Sequence, residues 1–229
     1  MPRRLAISDI HGCARTFAAL LDELQLSPSD ELYLLGDFVD RGPRSRQVIE
    51  ATIDLQRRGY RVKCLRGNHD QYMIDGFTDK QARQHWKSVG GKATRKSYVS
   101  ELNPEGRVPE EHREWLAALP YYFDTGDYYL VHAGFNFRRK NPLKGKKAML
   151  TARYYYPRID VDWLAGRYIV HGHTPATKTA VAGQVSAGKR LYPVFGIDAG
   201  CFHTRPDMGH LCAFDLDYRQ FTFVTNQDR

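Results

Sequence analysis

Along the first third of the chain, short apolar runs stop abruptly at clusters of polar residues. RRLAIS (Arg3 to Ser8) ends at Asp9, as a buried strand does on reaching a loop. Phe17, Leu20, Leu21 and Leu24 then recur at helical spacing, and Pro28 closes that segment. ELYLL (Glu31 to Leu35) is a second strand, ending in Gly36 and Asp37. The next helix is predicted to carry Pro43 in its first turn, Val48, Ile49, Thr52 and Ile53 on its apolar face, and Gly59 as its stop. YRVKCL (Tyr60 to Leu65) is a third strand, leading to Arg66 and Gly67. Strands alternating with helices imply a largely parallel α/β sheet, because parallel strands need crossover connections. SDIHG, GDFVDRG and RGNHD each follow a strand, and the crevice beyond the carboxyl ends of such strands is where ligands bind.

From Gln81 to Leu119 the pattern reads as helical, with Trp115, Leu116 and Leu119 packing before Pro120. YYFDT and DYYLVH then read as strand, turn and strand, with Gly126 at the turn. RYIVH (Arg167 to His171), LYPVFGID (Leu191 to Asp198), HLCAFDL (His210 to Leu216) and QFTFVT are further strands. They predict a second sheet packed on the first.

Composition narrows this picture. With 229 residues, 42% of them hydrophobic and 12% aromatic, the chain can bury a sizeable core, and no linker or repeat divides it. One domain over 1–229 is expected. Cys13, Cys64, Cys201 and Cys212 form no CxxC pair, so reduced, packed cysteines are expected in place of a zinc ribbon. No run approaches the ~20 apolar residues of a membrane span, and the polar start leaves no signal-peptide core, which predicts a cytoplasmic protein with no membrane partner. The formal net charge of +8 favours anionic partners without saying which.

The strand-end clusters supply the chemistry. Asp9, His11, Asp37, Asn68, His132 and His173 are oxygen and imidazole donors at the ends of apolar runs. Such donors suit divalent Mn, Fe, Zn or Ni. One carboxylate can bridge two ions, and Asp37, in the middle loop, is the candidate bridge.

SDIHG, GDFVDRG, RGNHD, LVHAG and HGHTP, in this order between Asp9 and Pro175, resemble the signature of the phosphoprotein phosphatase branch of the calcineurin-like metallophosphoesterases. IDAGC (Ile197 to Cys201) resembles the C-terminal part of the bacterial members. The resemblance implies a four-layer α/β fold, two mixed sheets flanked by helices, with two divalent metal ions between them. It implies that Asp9, His11 and Asp37 hold one ion and Asp37, Asn68, His132 and His173 the other. His69 would be the general acid, oriented by Asp40, and Arg41, Asn68 and Arg153 would bind the substrate phosphate. The implied reaction is direct attack of a hydroxide generated between the metals, with no phosphoenzyme. Ser8 stands where relatives have glycine, Asp70 where protein phosphatases have glutamate, and Thr151 where relatives have a tryptophan two residues before the arginine matched by Arg153. The GHTP form, with no second histidine after His173, points away from nucleases and cyclic-nucleotide phosphodiesterases. His171 is expected to be structural.

The first expectation for substrate is a phosphoprotein or phosphopeptide, as for a bacterial-type Ser/Thr phosphatase, with phosphotyrosine as a variant. The second is a nucleoside polyphosphate, as for symmetrical diadenosine tetraphosphate hydrolases. The segment from Phe135 to Arg158 is strongly basic and then carries Tyr154, Tyr155 and Tyr156, a composition that suits a polyphosphate and a base as a lid or substrate-binding loop. The alternative for that segment is a solvated basic loop followed by core tyrosines. A non-catalytic module holding nucleic acid on its basic surface is disfavoured, because a degenerate site should have lost ligands and this one has not.

Overall fold

The computed structural model describes residues 2–186 and 192–229. In chain order the first elements are β1 (Arg4–Ile7), α1 (Ala14–Glu23), β2 (Glu31–Leu34), α2 (Ser45–Arg57) and β3 (Arg61–Cys64). Four helices follow, α3 (Asn68–Thr78), α4 (Lys80–Trp86), α5 (Lys92–Ser97) and α6 (Glu110–Ala118). The second half holds β4 (Tyr122–Asp124), β5 (Tyr128–Val131), α7 (Lys146–Thr151), α8 (Val161–Leu164), β6 (Tyr168–His171) and α9 (Lys178–Ser186). It closes with β7 (Val194–Gly196), β8 (His210–Asp215) and β9 (Gln220–Thr225).

Two mixed sheets form. One has the order β3-β2-β1-β8-β9, the other β4-β5-β6-β7. β1, β2 and β3 are parallel, with Leu5 opposite Leu32 and Leu32 opposite Val62, and β8 and β9 return antiparallel. In the second sheet β5, β6 and β7 are parallel and β4 is antiparallel.

Strand alternation produces the layers, since successive side chains point to opposite faces. Leu5, Ile7, Leu32, Leu34 and Val62 pack outward with Phe17 and Leu20 of α1 and Val48 and Ile49 of α2. Ala6 and Tyr33 face the other way and join Leu130, Val170, Phe195 and Phe214 between the sheets. Tyr129, Val131, Ile169 and Val194 cover the far face of the second sheet together with Phe135, Met149, Tyr155 and Leu164. Helices, sheet, sheet and helices are the four expected layers.

Several boundaries differ from the expectations. Arg44 caps α2, so Pro43 lies before the helix, outside its first turn. Gly59, at φ +84°, follows the helix end as a stop should. The segment 81–119 is broken into shorter helices: Gly90, at φ +138°, kinks the chain between α4 and α5, and residues 98–109 are irregular. Only Val194–Gly196 of the run LYPVFGID pairs in the sheet, and Leu191 lies outside the described residues. The four cysteines are buried and unpaired, and no helix among the described residues is long and apolar enough to cross a membrane.

Candidate active site

Parallel strands end together, and their loops meet at one edge. Asp9 and His11 follow β1, Asp37, Asp40 and Arg41 follow β2, and Asn68 and His69 follow β3. Asn68, His69 and Asp70 form the first turn of α3, where the sequence had suggested a loop. From the second sheet, His132 follows β5 and His173 follows β6. The loops are stitched by backbone bonds, His11 N–H to the Asp37 carbonyl at 2.8 Å and Gly12 N–H to that of Phe38 at 2.9 Å. The sheets are tied across the site as well, for His173 N–H donates to Asp9 Oδ2 at 2.9 Å and His132 Nδ1 lies 2.9 Å from the Leu35 carbonyl.

Asp70 explains its own departure from the glutamate pattern. Its carboxylate accepts from the backbone N–H groups of Gly67, Asp37 and Phe38 at 2.8–3.0 Å, clamping the second loop to the third. Two glycines permit the close approach. A Cβ on Gly67 would sit 2.1 Å from Asp37 Oδ1, and one on Gly172 would sit 2.0 Å from Asp9 Oδ2.

Asp37 stands at the centre. His11 Nε2 is 3.4 Å from its Oδ2 and His132 Nε2 is 3.6 Å from its Oδ1. His132 Nε2 also meets Asn68 Oδ1 at 2.9 Å. Asp37 belongs to two groups of candidate ligand atoms lying within 4.8 Å of one another, one with His11 and His69, the other with Asp9 and His132. His11 Nδ1 is 2.9 Å from the Val39 carbonyl, so this ring nitrogen and that of His132 bond to the backbone while each Nε2 faces the cluster. Orienting partners of this kind are typical of metal-ligating histidines.

This cluster is strained and electrostatically unbalanced by itself. Asp9, His11, Asp37, Asp40, Arg41 and His173 all adopt left-handed backbone, at φ between +47° and +73°. Such conformations cost roughly 1–2 kcal/mol per residue and persist where the surroundings over-determine them. Burial pushes the Asp37 carboxyl well above the usual carboxylate range, with Asp9 and Asp70 adding to the rise and His69 opposing it. Burial, with Arg41 and His69, holds His11 well below its ordinary value, and burial with His132 and Arg153 pushes His173 down to about 2. Buried carboxylate, imidazole and amide-oxygen donors form a set that fits first-row divalent cations, whose charge would return the Asp37 carboxyl to its ionised form.

Beside the cluster stands a proton-carrying pair. His69 Nδ1 is 2.8 Å from Asp40 Oδ2, and Arg41 Nη2 is 3.1 Å from His69 Nε2. A guanidinium only donates, so Nε2 accepts and the Nδ1 proton faces Asp40. The other Asp40 oxygen accepts from Trp86 Nε1 at 2.9 Å and from Thr94 Oγ1 at 2.6 Å. These two residues frame the Gly90 kink. Arg153 Nη1 reaches Thr174 Oγ1 at 3.2 Å, next to His173, so the arginine beyond the missing tryptophan does arrive at the edge of the site.

Three residues at this site escaped the sequence reading. Trp86 and Thr94 lie in a stretch read as helical, with no motif to single them out. Asp198 follows β7, the same strand-end signal that marked Asp9, and is buried with its carboxyl pushed up by burial and by Asp9. His171 is structural, its Nδ1 2.8 Å from the Gly172 carbonyl and its Nε2 on the Tyr156 hydroxyl. The three tyrosines separate: Tyr155 is buried, Tyr156 is engaged with His171, and Tyr154 is exposed.

Residues 2–204 match the model of the calcineurin-like phosphoesterase family, and the chain belongs to that family. It is a metallophosphoesterase, and its two sheets and flanking helices are the family's fold. A symmetrical bis(5'-nucleosyl)-tetraphosphatase of Aromatoleum aromaticum is 33% identical over 130 residues, covering 56% of this chain and 43% of that protein. The match thus spans less than half the length of that curated relative. The structure of a candidate diadenosine tetraphosphatase superposes with a TM-score of 0.64 at 20% identity, covering 100% of this chain and 97% of the other. A protein serine/threonine phosphatase from Saccharomyces cerevisiae gives a TM-score of 0.65 at 12% identity, covering 100% and 81%. At those identities the two structures bear on the fold alone.

Proposed function

We propose that the chain hydrolyses a dinucleoside polyphosphate, taking a phosphate of the bridging chain onto the site around Asp37. This reverses the order of the two substrate expectations. The curated relative from Aromatoleum aromaticum, at 33% identity, is a symmetrical tetraphosphatase, whereas the likeness to a protein phosphatase structure at 12% identity carries no substrate argument. The observation in this chain that carries the reading is the pair Arg153 and Tyr154. Arg153 is held beside His173 by Thr174, and the next side chain, Tyr154, is 83% exposed in left-handed backbone at φ +54°. A cation for phosphate beside an uncovered aromatic ring for a base is the combination a nucleotide needs.

In this reading Asp9, His11, Asp37, Asn68, His132 and His173 would hold two divalent ions, Asp37 belonging to both groups of candidate ligand atoms. When bound, the pair supplies positive charge at the phosphorus and makes water a nucleophile near neutral pH. Arg41, Asn68 and Arg153 take non-bridging phosphate oxygens. Transfer of the Arg41 guanidinium from His69 Nε2 to phosphate frees that nitrogen to take up a proton from water, and the imidazolium so formed, held by Asp40 through its Nδ1 proton, gives the Nε2 proton to the departing oxygen. Trp86 and Thr94 hold Asp40.

The test compares kcat/KM for diadenosine tetraphosphate with that for a phosphoserine peptide on one metal-loaded preparation. The dinucleotide is expected to be preferred by at least about tenfold, and an equal margin for the peptide would sink the proposal. Tyr154→Ala should raise KM for the dinucleotide by about tenfold, the scale of one lost base stack, and leave p-nitrophenyl phosphate unchanged. Trp86→Phe should lower kcat by about 10–100-fold, as loss of an orienting partner does, in proportion to how much the leaving group needs a proton. Steady-state kinetics on a graded set of leaving groups checks this.

A further inference from the structure

On the outer side of the second sheet lies a cavity of about 690 Å³, lined by none of the residues gathered around Asp37. Its volume is in the ~300–1,000 Å³ range of small-molecule sites. Arg138, Arg139, Lys144, Lys146, Lys147 and Arg158 line it, and no acidic residue does. None of these six cations forms an ion pair among the described residues. By contrast, Arg4 pairs with Asp127 and Asp217, and Arg61 and Lys63 pair with Glu31. In a chain of formal net charge +8, these six cations are gathered in one hollow with no carboxylate in its lining. Like charges crowded together repel, and an anion held between them offsets that repulsion.

Tyr155 lines the cavity and is buried. The walls adjoin the active site through the chain: Ala133, next to His132, donates its N–H to the Met149 carbonyl at 2.8 Å, and Arg153 directly follows the lining residue Ala152. An anion lodged here would lie next to both segments that reach the metal cluster.

We propose that this cavity binds a polyphosphate chain of two or more linked phosphates, at a site distinct from the one around Asp37. A single phosphate would engage two or three of the cations, whereas a linear polyanion matches six spread over one hollow. The polyphosphate is either the half of the dinucleotide remote from the cleaved bond or a free polyphosphate, and the site stands whichever substrate the enzyme takes.

Equilibrium dialysis of inorganic tripolyphosphate against the metal-loaded full chain tests this, with divalent metal in excess over phosphate. Arg138→Gln/Lys147→Gln should weaken binding by about tenfold or more and flatten its salt dependence, as loss of two charge-assisted contacts does. Both side chains are exposed, so the fold and turnover of p-nitrophenyl phosphate should be unchanged. Arg41→Gln should leave the dialysis result largely intact. Binding lost in Arg41→Gln and unchanged in the double variant would overturn the proposal, since the polyphosphate would then occupy only the catalytic site. If the double variant also raises KM for diadenosine tetraphosphate, the cavity holds the far half of that substrate. If it changes tripolyphosphate binding alone, the ligand is the free polyphosphate. An enzyme inactive on the dinucleotide that still binds tripolyphosphate at these residues would defeat the proposed function and leave this site standing.

Discussion

Asp37→Asn is expected to lower kcat/KM by at least about a thousandfold on every phosphate substrate and to reduce bound metal from two ions to one or none. A thousandfold corresponds to ~4 kcal/mol of transition-state stabilisation, the scale supplied by metal charge at phosphorus. The reason is geometric, because Asp37 is the one residue common to both groups of candidate ligand atoms. The substitution keeps the shape of the side chain, and Oδ1 can still accept from His69 N–H, now at 2.9 Å. The metal-free protein supplies an independent sign. A carboxyl whose pKa is raised on folding binds its proton more tightly in the folded state, so it contributes less stability as pH climbs past the ordinary carboxylate range. At neutral pH Asp37 therefore destabilises the metal-free fold, and Asn at this position should raise its melting temperature. Loaded with metal, the wild type should gain more in melting temperature than the variant. Metal analysis, kinetics and paired thermal melts read all of this. Full activity in a variant with one ion would remove Asp37 from the bridging position.

The place of Asp37 at the centre of the cluster was legible in the sequence because strand ends are legible. Apolar runs of four to six residues closing on Asp9, Asp37 and Gly67 are enough to aim three loops at one edge once the strands are parallel. The same logic reached His132 and His173 through β5 and β6, and the motifs added His69, Asp40 and Arg41. What sequence could not carry is how the loops are held. The left-handed backbone at Asp9, His11, Asp37, Asp40, Arg41 and His173 follows from cross-loop bonds between residues distant in the chain, such as His173 N–H to Asp9. Trp86 and Thr94 were not singled out within the stretch 81–119, read as helical throughout, because the kink at Gly90 has no periodic signature. A Cβ on Gly90 would stand 2.8 Å from Asp40 Cβ, so that kink exists to bring the helices against the proton-carrying pair. The basic segment was legible as charge alone, and only packing separated the buried Tyr155 from the exposed Tyr154.

The fold and the site also explain why one scaffold can serve different phosphate esters. In the proposed reading the cluster around Asp37 would act on the phosphoryl group, which is the same in all of them, whereas Arg153 and Tyr154, at the edge of the site, would meet the remainder of a substrate. Selectivity is therefore expected to reside in the segment between β5 and β6, whose changes should move KM more than kcat.

The other large effect separates the substrates by their chemistry. His69→Asn should lower kcat on a phosphoserine peptide by about 10²–10⁴-fold, the usual worth of a positioned general acid. A serine alkoxide is too basic to leave unprotonated, so its departure depends on the Nε2 proton. Symmetrical cleavage of a dinucleoside tetraphosphate expels a nucleoside diphosphate, whose terminal phosphate has a pKa of roughly 6 and leaves as an anion near neutral pH. Protonation then matters little, and the same variant should lose only about tenfold or less on that substrate. Asp40→Asn should follow the same pattern with smaller amplitude, since it leaves the imidazole in place while removing the carboxylate 2.8 Å from Nδ1. A purely structural role for His69 would lower both activities together. Equal losses on the two substrates, in a variant that binds two metals, would remove His69 from proton transfer and leave Arg41 and the metal cluster to account for catalysis.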